Sequence, residues 1–270
     1  MQKYYICGTE ISKIQETLLE ILDEVDRVCK ENNIKYFLSG GTLLGCIRHK
    51  GFIPWDDDID IWMTRKNYKK FRKVIKKSLN NKFFFEDYFS NINCPLSILK
   101  IEKKGTKYTE KIFKDLHIGN SIYIDIFPLD SVIRPFYKLQ TAILIKLQSV
   151  RNYHLLRDKN TQSSLAKKLF YGLMPLRLCR FLTETTMKIF SCFKTKYLNQ
   201  LCHRGRNWPL FERVDIEDLI DGDFCGKKYP IPKNSDKILK QCYGDYLKLP
   251  SKEKMQPSHN IIECDLGDDN

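Results

Sequence analysis

The sequence predicts an α+β chain, a sheet flanked by helices, with a helical elaboration in its second half. Three observations carry this reading. Apolar residues recur at helical spacing from Ile11 to Lys30. Two short runs, Asp58–Met63 and Ser121–Asp130, alternate with a period of two. From Ile133 to Leu201 the texture becomes long, helical, apolar and basic.

Taken in order, Ile11, Ile14, Leu18, Leu22, Val25 and Cys29 define the first helix, with Ser12 and Gln15 spaced as a capping box. A short apolar strand, Tyr36–Leu38, runs into Gly40 and Gly41, flanked by Ser39 and Thr42. An apolar segment, Leu43–Ile47, ends in Arg48 and His49. A turn at Gly51 and Pro54 then leads to Asp56, Asp57, Asp58 and Asp60. Ile59, Ile61 and Met63 alternate with Asp58, Asp60 and Trp62, so in a strand both aspartates share one face. Thr64 can cap a second helix whose stripe is Tyr68, Phe71, Ile75 and Leu79. Strands are expected at Phe83–Tyr88 and Leu96–Glu102; Lys103–Lys114 resists assignment and reads as a mobile loop.

In SIYIDIFPLD, Ile122, Ile124 and Ile126 alternate with Tyr123 and Asp125. A lone aspartate in a strand is disfavoured, so Asp125 asks for an explanation. Asp130, two residues after Pro128, reads as a turn residue or helix cap. Gly172 and Pro175 divide the helical region; Tyr229–Pro232 is extended, and Asp236–Tyr243 suits a short helix ended by Gly244. Three units are expected: a catalytic core over 1–130, a basic amphipathic helical region over 131–205, and a C-terminal segment over 206–270 packing back on the core.

Composition narrows the function classes. With 270 residues, 42% of them hydrophobic, a substantial core is available, and 12% aromatics argue against disorder. The formal charge of +13 fits nucleic acid, an anionic membrane or a polyanionic substrate. No RNA-binding signature or zinc-finger spacing supports the first, so nucleic acid is not expected. The ten cysteines form no C-x-x-C pair, and the N-terminus lacks an apolar signal region, which suggests reduced thiols in a cytoplasm. The histidines lack H-x-x-x-H spacing and no G-x-S-x-G is present, which leaves a serine or cysteine hydrolase without support.

Carboxylates held side by side repel unless a cation lies between them, and hard divalent ions such as Mg²⁺ (or Mn²⁺) choose oxygen ligands of this kind. Asp58, Asp60 and Asp125 are therefore the candidate catalytic acids and metal ligands. Asp56 joins them as a ligand or as the group that orients one; Asp57, out of phase with Asp58, is least suited. Glycine permits close backbone approach, and a helix starting near Thr42 would aim free N–H groups at an anion, so Gly40, Gly41 and Thr42 are candidates for holding phosphate or nucleotide. Arg48 offers a fork of donors to phosphate, or else pairs with Asp56. Trp55 stacks on a base or sugar, or else anchors its loop.

The run SGGTLLG followed by RHKGFIPWDDDIDI resembles the signature of the LicD family, which includes the fukutin-related proteins. IDIFPLD looks like the second motif of that family, and YGDYLKLP with the late His259 looks like its C-terminal motif. The resemblance implies a nucleotidyltransferase-like mixed sheet with two acids on one strand and a third on its neighbour. It also implies transfer of a phosphorylated small alcohol, phosphocholine or a polyol phosphate, from a CDP-linked donor to a glycan or lipid-linked saccharide, with CMP leaving. A lipid-linked acceptor would make peripheral contact of residues 133–201 with the inner face of a membrane useful. Two other readings use the same residues: a nucleotidyltransferase that takes an NTP and releases pyrophosphate, and a non-catalytic basic binding module.

Overall fold

Two parallel strands at the centre of a mixed sheet organise the molecule. The structure is a computed structural model that describes residues 3–87, 90–95, 97–116, 118, 120–155, 171–202 and 208–267. A ribbon of β1 (Tyr5–Ile6) and β2 (Thr9–Glu10) precedes α1 (Ile11–Glu31). Then come β3 (Phe37–Leu38), α2 (Gly40–His49), β4 (Asp60–Thr64), α3 (Arg65–Ser78), β5 (Phe83–Asp87), β6 (Leu99–Lys103), β7 (Lys107–Glu110) and β8 (Tyr123–Val132). The second half holds α4 (Arg134–Leu155), α5 (Leu176–Lys188), β9 (Tyr197–Asn199), β10 (Phe211–Glu212), α6 (Arg213–Glu217), β11 (Leu219–Phe224), β12 (Lys227–Pro232), α7 (Ser235–Tyr243) and β13 (Ile261–Asp265).

The sheet runs β10-β9-β8-β4-β3, and β6 joins the first half of β8 and carries β5 at its outer edge. β4 and β8 are parallel, in the register Asp60 to Asp125; the other pairings are antiparallel. This is the nucleotidyltransferase-like mixed sheet flanked by helices. The alternation in β4 and β8 explains why they lie centrally. Ile61, Met63, Ile124 and Ile126 are wholly buried on one face, over which α1 and α3 pack. The α1 stripe is buried as its period requires, with Ile14, Leu18, Leu22 and Val25 at zero exposure. Full burial of each such side chain stabilises the fold by roughly 1.5–3 kcal/mol. On the other face Trp62 sits under Trp208 and Phe211, with ring centroids 5.4 and 5.0 Å away.

Several expectations are corrected. Gln15 closes no capping box: α1 has Glu10 at its N-cap without a side-chain bond, and Gln15 Nε2 donates instead to the carbonyls of Asp56 (2.8 Å) and Ile53 (3.3 Å). Within Lys103–Lys114 lies β7, because β13 arrives from the end of the chain to pair with it. Asp130 is neither turn nor cap. It lies inside β8, fully buried, and takes a two-pronged bond from Arg65, Nε and Nη2 each 2.6 Å from its oxygens. Thr64 does stand at the N-cap of α3, and Gly244 ends α7 with φ +68°. In the helical region, Leu147, Val150 and Cys179 form a small separate core between α4 and α5; the part of that region falling in 156–170 lies outside the described residues, as do the strand-edge residues Tyr88 and Leu96.

Candidate active site

The cleft forms at the N-terminal end of β4. β3 reaches only to Leu38, so the ladder begins at Asp60 and not at Asp58. Asp58 stands just ahead of the strand, and the Asp125 N–H donates to the carbonyl of Ile59 at 2.9 Å. That link fastens the approach to β4 onto β8.

The first turn of α2 is tied to the same point. Ser39 N–H donates to the Asp60 carbonyl at 3.0 Å, and the Asp60 N–H donates to Thr42 Oγ1 at 2.9 Å. Gly40 takes φ +54°, and a methyl group there would lie 2.8 Å from Asp60 Oδ2; one on Gly41 would lie 2.8 Å from Asp56 Oδ2. The glycine pair thus lets a helix N-terminus, with its unbonded N–H groups, come into contact with two carboxylates.

Asp56, Asp57 and Asp58 each offer an oxygen within 4.8 Å of the others. Their states differ. Burial, and then the charge of Asp58, pushes the Asp56 carboxyl well above the ordinary range; burial, and then Asp58 and Asp125, does the same to Asp60. Asp58 is also raised by burial, and nearby His259 opposes the shift. Asp57 is the exception. Burial works against its charge, but His259 Nδ1 (3.1 Å), Tyr108 Oη (2.7 Å) and Ser258 hold it below the usual range. It braces the loop, which agrees with its phase in the sequence. Against burial, Asp57 and Asp58 pull the His259 imidazole up to about 10, so it carries a positive charge.

On the neighbouring strand Lys100 Nζ donates to Asp125 Oδ1 at 2.8 Å and sits 3.1 Å from the centroid of the Tyr123 ring. Burial works to lower its pKa, but Asp125 and Glu110 raise it on balance, so the amine stays charged. Tyr123 in turn donates to Glu110. Asp58, Asp60, Asp125, Lys100, Glu110 and His259 all line one cleft of about 360 Å³, with Ile98, Phe113 and Phe127 as an apolar patch.

Gly40, Gly41, Thr42 and Asp56 join this cleft through their contacts with its aspartates or with one another and do not line it, and two further candidates lie elsewhere. Arg48 donates to the Tyr246 carbonyl and to His49 Nε2, each at 2.9 Å, and makes no hydrogen bond to Asp56. Trp55 packs on Tyr4, centroids 6.0 Å apart, as a loop anchor would. Neither lines the cleft. Lys100, Glu110 and His259 are the residues that sequence reasoning did not place there. Lys100 had a signal: in LKIEK the charged residues alternate with Leu99 and Ile101, which are buried on the other face.

A mixed sheet with carboxylates from two parallel strands facing a glycine-started helix defines a nucleotidyltransferase-type transferase. Residues 33–149 match the family described as LicD/FKTN/FKRP, nucleotidyltransferase domain. The chain is 30% identical, over 91% of its length and 94% of the relative's, to lipopolysaccharide cholinephosphotransferase LicD of Haemophilus influenzae. It is 35% identical to uncharacterized protein RP689 of Rickettsia prowazekii over 48% of this chain and 49% of that one. It is 28% identical to mannosyltransferase regulator 4 of Saccharomyces cerevisiae over 50% of this chain and 12% of the relative. The chain belongs to the LicD family.

Proposed function

We propose that this LicD-family phosphotransferase moves a phosphorylated small alcohol, phosphocholine or a polyol phosphate, from a CDP-linked donor to a sugar hydroxyl of a cell-surface glycan, with CMP leaving. The support is the crowding of Asp56 and Asp60 against the first turn of α2, with Asp58 close to Asp56 and Asp125 in register with Asp60.

The donor set fits a hard divalent cation: carboxylate oxygens only, raised in pKa by burial and then by mutual repulsion, and two glycines leaving room against them. Asp56, Asp58, Asp60 and Asp125 would hold Mg²⁺ or Mn²⁺, which supplies charge neutralisation at the diphosphate when bound. The N–H groups of Gly40, Gly41 and Thr42 bind phosphate oxygens. The Lys100 ammonium orients Asp125, and a free oxygen of Asp125 takes the proton of the attacking hydroxyl. Protonated His259 balances the charge of Asp57 and Asp58 and holds the tail against the loop. Phe113, Phe127 and Ile98 screen the reacting phosphorus from water and contact the alcohol.

In this reading residues 1–130 and 206–270 carry the chemistry and 131–205 presents the acceptor at a membrane face. Among the described residues no helix is long and apolar enough to cross a membrane. α4 exposes Phe136, Leu139 and Ile143, and α5 with its following turn exposes Leu178, Phe181 and Ile189, beside Lys138, Lys146 and Arg177. Such an apolar stripe with basic flanks suits the surface of an anionic bilayer.

The test is product identity. With CDP-choline or CDP-ribitol, a glycan acceptor and Mg²⁺, CMP should appear in step with phosphorylated glycan, and EDTA should stop both. Pyrophosphate from an NTP, with no CMP from any CDP-alcohol, would overturn the proposal.

A further inference from the structure

The other end of β4 opens on a larger cavity of about 600 Å³. Thr64 stands on its rim, four residues along the strand from Asp60, hence roughly 13 Å away at about 3.3 Å per residue. Lys66, Lys69 and Lys73 line it from α3 at positions i, i+3 and i+7, with Lys70 beside them, and Lys35 lines it from the approach to β3. Among the described residues no acid pairs with any of these five; Lys70 Nζ meets only the neutral Asn33 carbonyl, at 3.2 Å. The opposite wall is apolar, Ile216 and Leu219, and its one carboxylate, Glu217, is taken by Arg213 at 2.6 Å.

A lysine-rich helix face is ordinarily just a solvated surface, and Lys76 and Lys77 farther along α3, outside the cavity, serve as that; the cavity lysines are exposed too. The five around the cavity differ in geometry. They converge on a concavity with a low-dielectric wall, where field lines concentrate and anions collect. Water and salt screen their mutual repulsion in part, and a ligand with several negative charges relieves it further. A separation of roughly 13 Å exceeds the span of a diphosphate, so the phosphates of a donor held at the carboxylates would not reach these lysines as well.

We propose that this basin is a second anion site, independent of the carboxylate cleft, for a multiply phosphorylated saccharide. Its phosphates lie among Lys66, Lys69, Lys70 and Lys73, and a sugar face rests on the half-buried Leu219. The phosphate half stands on the geometry alone; the saccharide half rests on the glycan-transfer reading.

The experiment is calorimetric titration of the full chain in EDTA, so that no metal recruits phosphate to the carboxylates. The probes are tripolyphosphate and glucose 1,6-bisphosphate. Both should bind one to one, more weakly as salt rises. The variant K66E/K69E/K73E should weaken both at least tenfold with an unchanged Tm. The charge-matched control K13E/K248E/K252E, on exposed lysines elsewhere, should change them less than twofold. Absence of saturable binding, or equal losses in the two variants, would overturn the site. If phosphatidylglycerol vesicles bind through the same lysines and the bisphosphate does not compete, the basin is a headgroup surface and the saccharide assignment fails. No turnover enters these measurements, so their failure and a failure of the transfer reading are read separately.

Discussion

The two ends of the β4–β8 pair treat buried carboxylates in opposite ways. At the C-terminal end Asp130, with no exposed surface, is matched by a two-pronged bond from Arg65, itself 5% exposed. At the N-terminal end Asp56, Asp58 and Asp60 crowd together with one imidazolium nearby, and the one well-placed ammonium, Lys100, is spent on Asp125. The strands and the register are shared; what differs is whether evolution supplied a cation from the chain. A matched pair adds to a closed structure. An unmatched cluster stores repulsion that an exogenous cation and its phosphate ligand can relieve. The contrast predicts that removing a carboxylate should damage function at one end and folding at the other.

The largest effect is expected at the unmatched end. Asp60→Asn should lower transfer by roughly 10³-fold, the scale for losing a group that stabilises charge in the transition state. In EDTA its Tm should equal or exceed that of the wild type, because a repelling charge has gone. Added Mg²⁺ should raise the wild-type Tm by mass action and leave the variant unmoved. A thermal scan showing Asp60→Asn strongly destabilised without metal would mean the cluster is structural after all.

At the matched end the order reverses. Arg65→Met leaves Asp130 buried and alone, and should cost about 3–5 kcal/mol of stability in urea unfolding. Arg65→Met with Asp130→Leu should recover most of that loss, since a well-packed apolar pair often equals a buried ion pair. The folded fraction of either variant should retain a kcat close to that of the wild type. If kcat collapses while stability holds, the two ends are not separable.

Gly40 joins both effects. Gly40→Ala meets a left-handed backbone and a carboxylate oxygen at 2.8 Å, and should cost roughly 1–3 kcal/mol together with about tenfold in transfer. Gly226 also has positive φ, +76°, but nothing lies within 4 Å of an added methyl. Gly226→Ala should therefore show the backbone strain alone, about 1 kcal/mol, with transfer intact. Equal transfer rates in the two variants would show that the glycine–carboxylate contact is incidental.

How much of this could be read from the chain follows the range of the forces involved. The period of two in Asp58–Met63 and Ser121–Asp130 is local and survives in the structure as the alternation of buried isoleucines with aspartates. The parallel register that sets Asp125 opposite Asp60 is not local; only the oddity of an aspartate between isoleucines hinted at it. β7 had no signature of its own because its partner lies 150 residues later. Asp130 looked like a turn residue or a cap because it follows Pro128, and nothing near it in sequence announces Arg65. The glycine pair was legible as a place of close backbone approach, but its contact with Asp56 and Asp60 required coordinates. The hydrogen bond of Arg48 was not legible, because its acceptor, the Tyr246 carbonyl, sits 198 residues on.

Glu102 supplies the finest test, as a carboxylate on the cleft side of β6 that is neither matched nor clustered. It is 1% exposed, its Oε1 has no hydrogen-bond partner among the described residues, and burial followed by the charge of Glu86 pushes its pKa from 4.5 up to about 8. The folded state therefore keeps a proton that the unfolded chain releases near pH 4.5. This favours folding fully below that pH, the advantage shrinks between pH 4.5 and 8, and above 8 it is gone. Glu102→Gln removes the ionisation and leaves the shape. Its stability relative to wild type should be near zero at pH 4.5 and rise by about 1.4 kcal/mol per pH unit until the folded carboxyl itself ionises near 8, about 4–5 kcal/mol in all by pH 8.5. Paired urea melts at the two pH values measure this. A difference that does not grow with pH would show that Glu102 is charge-matched like Asp130, and that the contrast between the two ends does not extend to the rest of the sheet.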